Sequence, residues 1–207
     1  MFSILQCFML RCNIPLLSSL RGVTVGSVII GDEILKGYIQ ETNSTYLAKK
    51  LFTVGCKLEQ IAILPDDGKV ISECVRDFSK KFDIVVTSGG IGPTHDDITF
   101  ESIALAFEED CFVHPDLYNL VKQFFGAIKP ASPHMKLCTV PKSTKLIYEG
   151  ANGKTFKYPV VCVNNVYILP GIPQLFERTI SNLVGLWAPR NRDRYKKYLF
   201  FLFNLVN

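Results

Sequence analysis

The sequence predicts an α/β fold of three layers, with helices on both sides of a mainly parallel sheet. Short β-rich runs alternate along the chain with segments whose apolar residues recur at helical spacing, and this alternation is typical of parallel sheets covered by helices. Polar or Gly/Pro-rich turns follow four of the predicted strands, at the carboxyl ends where such sheets bind ligands. We therefore expect a domain over residues 23–184, between an N-terminal extension of residues 1–22 and a C-terminal tail of residues 185–207.

The first predicted strand and helix occupy the start of this domain. Residues 23–30 are β-rich and end in an acidic turn at residues 31–33. Thr42 or Asn43 can cap the helix that follows. That helix is expected to end at Gly55, because glycine is common just beyond a helix C-terminus.

Further strands and helices alternate along the rest of the domain. Residues 57–64 predict a strand, closed by the turn at residues 65–68. The next helix has an apolar face that we assign to the core, made of Val70, Ile71, Cys74, Val75 and Phe78. The remaining elements are a strand at 84–87, helices at 100–106 and 116–125, a loop at 127–133, a hairpin of 145–148 with 158–163, a strand at 166–169 and a helix at 173–183.

The predicted elements are arranged around residues 87–99, Thr-Ser-Gly-Gly-Ile-Gly-Pro-Thr-His-Asp-Asp-Ile-Thr. Gly89, Gly90 and Gly92 can adopt positive φ and let an anion approach the bare backbone. The N–H groups of the loop and the N-terminus of the following helix would then face that anion together. We interpret the segment as a phosphate-handling site, with a purely structural turn as the alternative.

The polar residues at the end of this loop favour chemistry over a simple turn. Asp96 and Asp97 are not needed for turning, and they would repel a bare phosphate unless a metal ion or a proton intervenes. Thr94 and Thr99 supply capping side chains for the helix that follows. His95 is either a general acid or base or an exposed loop residue.

The charge distribution argues against nucleic-acid binding by the domain. The 207 residues carry a formal charge of +4. Residues 1–31 contribute +2 and residues 189–207 contribute +4, so residues 32–188 sum to −2. Because binding to nucleic acid requires a basic face, we expect no nucleic-acid partner.

Cysteine usage and hydropathy narrow the class of protein further. The chain has seven cysteines without a C-x-x-C pair, and its three histidines are dispersed. Neither a disulfide framework nor a structural zinc site is predicted, and reduced thiols fit an intracellular compartment. No apolar run approaches the roughly 18 residues of a transmembrane helix, so we expect no membrane partner.

The two ends of the chain differ from the domain in composition. Residues 1–22 contain two arginines and several serines but no acidic residue, which suits a mitochondrial targeting peptide. A poorly ordered extension is the alternative, and we expect a cytoplasmic protein with the mitochondrion as the second choice. Residues 185–207 are basic and then aromatic, and we interpret this tail as atypical or as the mark of a truncated gene product.

Two motifs resemble those of the molybdopterin-binding superfamily. Gly89-Gly-Ile-Gly92 followed by Asp97-Ile-Thr99 is similar to the signature G-G-T-G…D-[VI]-T, and Leu169-Pro-Gly-Ile-Pro173 is similar to the turn L-P-G-x-P. In the adenylyltransferases of that superfamily, the aspartate of a P-D-[DE] turn and the aspartate before [VI]-T serve catalysis. The resemblance therefore implies catalytic roles for Asp66 and Asp97.

The form Gly92-Pro-Thr-His-Asp-Asp97 is more specific within the superfamily. It departs from the T-P-R-D form of the cofactor-synthesis enzymes, and it resembles the domain shared by competence/damage-inducible proteins and eukaryotic FAD synthases. Gly31-Asp-Glu-Ile-Leu-Lys-Gly37 with Thr42-Asn43 matches the same branch. His95, where the bacterial branch usually has lysine, favours the N-terminal domain of FAD synthase, and the resemblance covers residues 23–183.

This resemblance implies hydrolysis rather than synthesis. Such FAD synthases join this domain to a separate FMN adenylyltransferase domain, which we do not find in this chain, and hydrolysis of FAD or related dinucleotides is attributed to the accessory domain. We expect a diphosphatase that splits FAD into FMN and AMP, or acts on ADP-ribose, with Mg²⁺, Mn²⁺ or Co²⁺. The alternatives are a catalytically silent binding or regulatory module of an FAD synthase and a molybdopterin adenylyltransferase-like enzyme.

The expected site divides into a catalytic part and a phosphate-binding part. We assign catalysis to Asp97 and Asp66, and metal binding to Asp97 and Asp96. The residues expected to bind the nucleotide or its phosphates are Gly89, Gly90, Gly92, Thr94, Gly31, Asp32, Glu33 and Gly171. Three alternatives stay open: Asp96 as a solvated charge, Asp66 and Asp67 as turn residues, and Glu33 as a surface charge. A homo-oligomer is a further expectation.

Overall fold

The computed structural model describes residues 22–189, which form a six-stranded sheet and a separate two-stranded one, with helices around them. The strands are β1 (Thr24–Ile30), β2 (Lys57–Leu64), β3 (Ile84–Ser88), β4 (Cys111–Val113), β5 (Thr139–Pro141), β6 (Lys145–Glu149), β7 (Thr155–Val163) and β8 (Val166–Leu169). The α-helices are α1 (Asp32–Leu35), α2 (Asn43–Val54), α3 (Gly68–Lys81), α4 (Thr99–Ala106), α5 (Pro115–Phe125) and α6 (Pro173–Leu183). Two 3₁₀ helices cover Pro133–Cys138 and Val184–Trp187. The N-terminal extension and the tail beyond residue 189 lie outside the described residues.

The main sheet has the strand order β2-β1-β3-β8-β7-β6. Its first four strands are parallel, and β7 and β6 add two antiparallel pairings at the other edge. The predicted mainly parallel sheet is thereby confirmed. Since β3 lies between β1 and β8, the glycine loop leaves the sheet near its middle, with the turns after β1 and β8 on either side.

Each face of the sheet packs against its own layer of helices. On one face, α3, α4 and α5 bury residues such as Ile71, Ile103 and Leu117. On the other face, α2 and α6 bury residues such as Leu47 and Phe176. Alternate side chains of a strand point to opposite faces, which divides the apolar residues between the two cores. Full burial of each such side chain stabilises the fold by about 1.5–3 kcal/mol.

Several local expectations are wrong. Neither Thr42 nor Asn43 caps α2 with its side chain; the Glu41 carboxylate accepts from the Ser44 N–H instead, at 2.8 Å. Val70 is 37% exposed, because the buried face of α3 is formed by Ile71, Val75 and Phe78. No prediction was made for α1, for the antiparallel pair β4–β5 or for the 3₁₀ helix Pro133–Cys138, since such short elements do not complete a recognisable period.

The last described turn is part of the packed structure. The Trp187 ring meets Tyr167 edge to face, with 4.9 Å between ring centroids. The Cys56 thiol donates to the Trp187 carbonyl at 3.3 Å. Packing therefore continues to Trp187, whereas we set the domain boundary at residue 184.

Two expectations about the chemical class can be compared with the described residues. The cysteines between residues 22 and 189 are all free thiols: Cys56, Cys74, Cys111, Cys138 and Cys162. In the same range, no helix has both the length and the apolar character needed to cross a bilayer.

Candidate functional site

The carboxyl ends of four strands meet at one open cleft of about 1440 Å³. Gly31 follows β1, Asp66 follows β2, Gly89 follows β3 and Gly171 follows β8, and all four residues line this cleft. Parallel strands place their carboxyl ends on one edge of a sheet, which is why turns so distant in sequence come together. The convergence that the sequence predicted is confirmed.

Gly89 shapes the loop at its base. The residue has a φ of +109°, and a Cβ added to it would lie 2.1 Å from the Ile30 carbonyl oxygen. Its N–H donates to the Leu169 carbonyl at 3.1 Å, which continues the contact between β3 and β8. The Gly89 amide is therefore used inside the fold, and it is not the anion donor that we expected.

The next three amides are the candidate anion donors. Within residues 22–189, the N–H groups of Gly90, Ile91 and Gly92 have no hydrogen-bond partner, and all three residues line the cleft. These residues are half-buried, so their three successive N–H groups are open to an acceptor from a ligand or from water. Gly92 does not adopt the positive φ that we predicted. A Cβ there would lie 2.6 Å from Oδ2 of Asp97, so close packing explains this glycine.

Asp97 fixes the second half of the loop. Its Oδ2 accepts from the Thr94 N–H at 2.8 Å and from the Thr94 hydroxyl. The Thr99 hydroxyl donates to the Gly89 carbonyl at 3.0 Å, and α4 begins without a side-chain cap. The expectation that Thr94 and Thr99 cap α4 is therefore wrong, because both side chains are used to hold the loop.

Asp66 belongs to an acidic group at the same edge of the cleft. Its Oδ2 accepts from the Asp32 N–H at 3.0 Å. Burial raises the pKa of Asp66, and the negative charges of Glu33, Asp32 and Asp96 raise it further against the lowering effect of that hydrogen bond. Such a raised carboxyl pKa is common at functional sites, because proton transfer near neutral pH requires it.

The acidic residues next to Asp66 have contacts of their own within the protein. Lys36 lies 2.7 Å from the Asp32 carboxylate, and this hydrogen bond lowers the pKa of Asp32. The Glu33 carboxylate lies against Gly31, within 2.6 Å of where a Cβ would be. Asp67 serves as the N-cap of α3, accepting from the Lys69 and Val70 amides, so this aspartate has the turn role that we left open.

The predicted residues at the tip of the loop are exposed. The His95 ring lies 3.6 Å from the Asp96 carboxylate, and both side chains face solvent. Asp96 lines the cleft, whereas His95 is not among the lining residues. Of these two neighbours, only Asp96 is placed to contact a ligand in the cleft.

Asn43 lines the cleft, whereas the sequence indicated it only as a helix cap and as part of the family resemblance. Its amide Nδ2 donates to the Ser88 hydroxyl and to the Gly171 carbonyl, each at 2.9 Å. These bonds tie the start of α2 to the ends of β3 and β8. A buried amide before an apolar helix was the available signal, but its partners are 45 and 128 residues away along the chain.

The cleft has apolar surfaces on both sides of the glycine loop. Phe124 and Phe125 are 61% and 56% exposed at the end of α5, and the Phe125 ring lies 4.2 Å from the His134 ring between centroids. Ile172 and Leu175 are 57% and 47% exposed beside the start of α6. All five residues line the cleft. Because α5 and α6 pack on opposite faces of the sheet, these surfaces lie on opposite sides of the strand ends.

The acidic group can be compared with the needs of a divalent metal ion. Within the described part of the chain, no three Asp, Glu, His or Cys residues are grouped closely enough to hold an ion by themselves. Mg²⁺ at phosphate-binding sites commonly takes one or two carboxylates, with the remaining positions filled by substrate phosphates and water. The carboxylates of Asp66 and its neighbours fit such a shared ion, and they do not fit an ion held by protein alone.

Residues 26–189 match the protein family described as "Probable molybdopterin binding domain". The chain belongs to this family. The architecture agrees with that membership, since the crystal structure of the protein CinA with unknown function from Thermoplasma acidophilum is similar, with a TM-score of 0.68 at 27% identity. That similarity covers 77% of this chain and 95% of the CinA chain.

Named proteins of two kinds are among those similar to this chain. The "Probable FAD synthase" of Caenorhabditis briggsae is 37% identical over 177 residues, which cover 77% of this chain and 34% of the worm protein. A "CinA-like protein" of Thermosipho melanesiensis is 42% identical over 162 residues, which cover 74% of this chain and 40% of that protein. The chain therefore spans about a third of the length of the worm relative.

Proposed function

We propose that this domain hydrolyses a dinucleotide diphosphate in a metal-dependent reaction, converting FAD to FMN and AMP or acting on ADP-ribose. The observation that carries the proposal is the juxtaposition in one cleft of three unpartnered loop amides, at Gly90, Ile91 and Gly92, with the acidic group around Asp66. The first part suits a phosphate, and the second part suits the charge and proton chemistry of its hydrolysis. The FAD synthase name of the worm relative supports a flavin dinucleotide as the substrate.

The substrate would be oriented by the backbone of the glycine loop. Amides of Gly90, Ile91 and Gly92 would donate to the oxygens of one phosphate. The Thr94–Asp97 hydrogen bonds keep the loop curled around that position. A divalent ion, held by Asp96 and the second oxygen of Asp97, would neutralise charge on the diphosphate and improve the leaving group.

Asp66 is the candidate to receive the proton of the attacking water. The water oxygen forms a bond to one phosphorus, the bridging P–O bond breaks, and the electron pair leaves on the bridging oxygen of the other phosphate. A proton from the water passes to the Asp66 carboxylate, whose raised pKa makes it a better base than an exposed aspartate. One monophosphate carries the flavin and the other carries the adenosine.

The apolar surfaces of the cleft support a substrate with a flat ring at each end. Phe124 and Phe125 offer aromatic faces on one side of the glycine loop, and Ile172 and Leu175 offer apolar contact on the other. Aromatic faces stack on planar heteroaromatic rings. A dinucleotide whose diphosphate lies at the loop would reach both surfaces, whereas a mononucleotide would reach one.

A catalytically silent binding module is the rival function, and a specific observation favours it. Asp97 has one carboxylate oxygen occupied by Thr94, and no three-ligand metal group exists within residues 22–189. A domain with these features can bind a dinucleotide without hydrolysing it. The worm relative, of which this chain covers about a third, offers a larger protein that such a module could regulate.

Incubation of the purified chain with FAD separates the two functions. FAD is supplied with Mg²⁺, Mn²⁺ or Co²⁺ in turn, and the products are separated by chromatography. We expect equimolar FMN and AMP with at least one of these ions and none with EDTA. The Asp66→Asn variant should lose the activity while keeping FAD binding. Saturable FAD binding without any product would favour the silent module.

A further inference from the structure

Lys136 holds the glycine loop from behind. It lies in the 3₁₀ helix Pro133–Cys138, and its ammonium donates to three backbone carbonyls of the loop. The distances are 3.0 Å to the Thr94 oxygen, 3.1 Å to the His95 oxygen and 2.8 Å to the Asp97 oxygen. A lysine ammonium has three N–H donors, so the loop uses all of them.

The surroundings of Lys136 indicate that the loop carbonyls are its main partners. None of the ion pairs within residues 22–189 involves this lysine. It is also not among the residues that line the cleft, so it does not face a ligand there. The positive charge is therefore directed at carbonyls of the loop, while Gly90, Ile91 and Gly92 line the cleft.

Within residues 22–189, the tip of the loop has no other hydrogen-bonded attachment to the rest of the chain. Thr94 and Asp97 bond to each other, and the nearby bonds of Thr99 reach only Gly89 and Gly90. Within the described range, the hydrogen bonds that join residues 93–97 to the chain outside the loop all come from Lys136. Charged donors make stronger hydrogen bonds than neutral ones, which suits a lysine to this task.

We propose that Lys136 is a positioning residue, which keeps the glycine loop in its ligand-binding conformation through these three carbonyls. The expected effect on ligand affinity rests on the proposed function, but the effect on the loop itself does not. A protein whose binding-competent conformation is populated in only a fraction of molecules loses apparent affinity by that fraction. Without Lys136, the loop samples other conformations, and phosphate binding weakens in proportion.

Hydrogen–deuterium exchange on the intact chain tests the loop directly. Lys136→Met removes the three bonds, and Lys142→Met is the matched control, because Lys142 pairs with Asp110 away from the cleft. We expect the hydrogen-bonded amides of Thr94, Asp97 and Thr99, measured in a peptide spanning residues 89–99, to exchange about tenfold faster or more in Lys136→Met, with β7 unchanged, because exchange reports local opening. Lys142→Met should match the parent. If Lys136→Met does not fold, Lys136→Gln replaces it, since an amide retains two donors.

The affinity for FAD is a second readout, because it reports the ligand-binding conformation of the loop and not only the stability of the folded chain. FAD titrated into the folded variants should bind about tenfold more weakly to Lys136→Met than to the parent. Lys136→Arg should recover part of the loss, because guanidinium also donates to carbonyls. Unchanged exchange over residues 89–99 in a folded Lys136→Met protein would overturn the proposal. A parent chain that binds FAD but never hydrolyses it would contradict only the diphosphatase function.

Discussion

At the scale of single residues, Asp97 has two distinct tasks to separate. Its carboxylate holds Thr94, and the residue also lines the cleft. Asp97→Asn keeps the shape and one oxygen acceptor, so we expect a change in unfolding free energy within about 1 kcal/mol, as for a capping residue. If the lost charge acts on the diphosphate in the transition state, FAD turnover should fall by about a hundredfold or more. Steady-state kinetics and denaturant unfolding measure the two effects.

The control for this change is Asp77→Asn. Asp77 is exposed on α3, on the side opposite the buried residues Ile71, Val75 and Phe78. It should have parental stability and turnover. A folded Asp97→Asn protein that hydrolyses FAD at the parental rate would reduce Asp97 to a support for the loop, and the silent module would then gain support.

The raised pKa of Asp66 predicts how the stability of the folded protein depends on pH. Its folded-state pKa lies above the ordinary value of 3.8, mainly because of burial. The folded protein therefore binds this proton more tightly than the unfolded chain does, and the resulting stability is present below pH 3.8 and is lost as pH rises through the folded pKa. The Asp66→Asn variant has no carboxyl group to ionise, so it should not lose this stability as pH rises. Its amide oxygen can still accept a hydrogen bond from the Asp32 N–H.

Thermal unfolding of the parent and of Asp66→Asn between pH 3 and pH 8 measures this effect. The Tm of the variant should exceed that of the parent at neutral pH, and the difference should shrink as pH falls toward 3.8. Asp67→Asn is the control, because this residue caps α3 and no such gain is expected there. A difference in Tm that grows on acidification would mean that the environment of Asp66 is misassigned.

At the scale of elements, the glycine loop depends on its contact with the end of β1. Gly89→Ala places a Cβ 2.1 Å from the Ile30 carbonyl oxygen at a φ of +109°, so the loop or the strand must move. We expect a loss of at least about 1–3 kcal/mol in unfolding free energy, measured by urea denaturation, together with loss of FAD binding.

Gly153→Ala is the matched control for the backbone strain. Gly153 has a φ of +72° in the turn between β6 and β7, with no atom within 4 Å of an added Cβ. It should show only the smaller cost of the unusual backbone conformation and should bind FAD normally. Equal effects of the two changes would indicate that the contact with Ile30 is unimportant.

The antiparallel pair β4–β5 marks the limit of what the sequence predicted about the fold. The helical spacing of Ile71, Val75 and Phe78 predicts α3, and the glycines around residues 150–153 predict the β6–β7 hairpin. The strands β4 and β5 have three residues each, so they show no alternation to recognise. Their pairing depends on contacts between residues about 30 apart, which local sequence patterns do not encode.

The location of the site could be predicted from the sequence, because it depends on the parallel sheet alone. The rule that ligands bind at the carboxyl ends of parallel strands brings Gly31, Asp66 and the glycine loop together without knowledge of strand order. The roles of individual amides were not predictable, because the Gly89 N–H bonds to Leu169 on a strand that the sequence could not place beside β3. Lys136 was missed for the same reason, since its three partners lie 39 to 42 residues earlier.

At the scale of the whole molecule, the chain should hydrolyse FAD without making it. It spans about a third of the "Probable FAD synthase" of Caenorhabditis briggsae, and the printed 207 residues have no second glycine-rich nucleotide motif after Gly171. Incubation of the pure 207-residue chain with FMN, ATP and Mg²⁺ should therefore yield no FAD. Metal-dependent formation of FAD would contradict this expectation.

The most direct test of the central claim is ³¹P NMR of FAD during incubation with the purified chain and a divalent ion. If the cleft binds and splits the diphosphate, the two diphosphate resonances should disappear as two monophosphate resonances grow at equal rates. Asp66→Asn should leave the diphosphate intact while still broadening its resonances by binding. Persistence of the diphosphate signals with the parent chain, under conditions in which the same resonances show that FAD is bound, would contradict the claim.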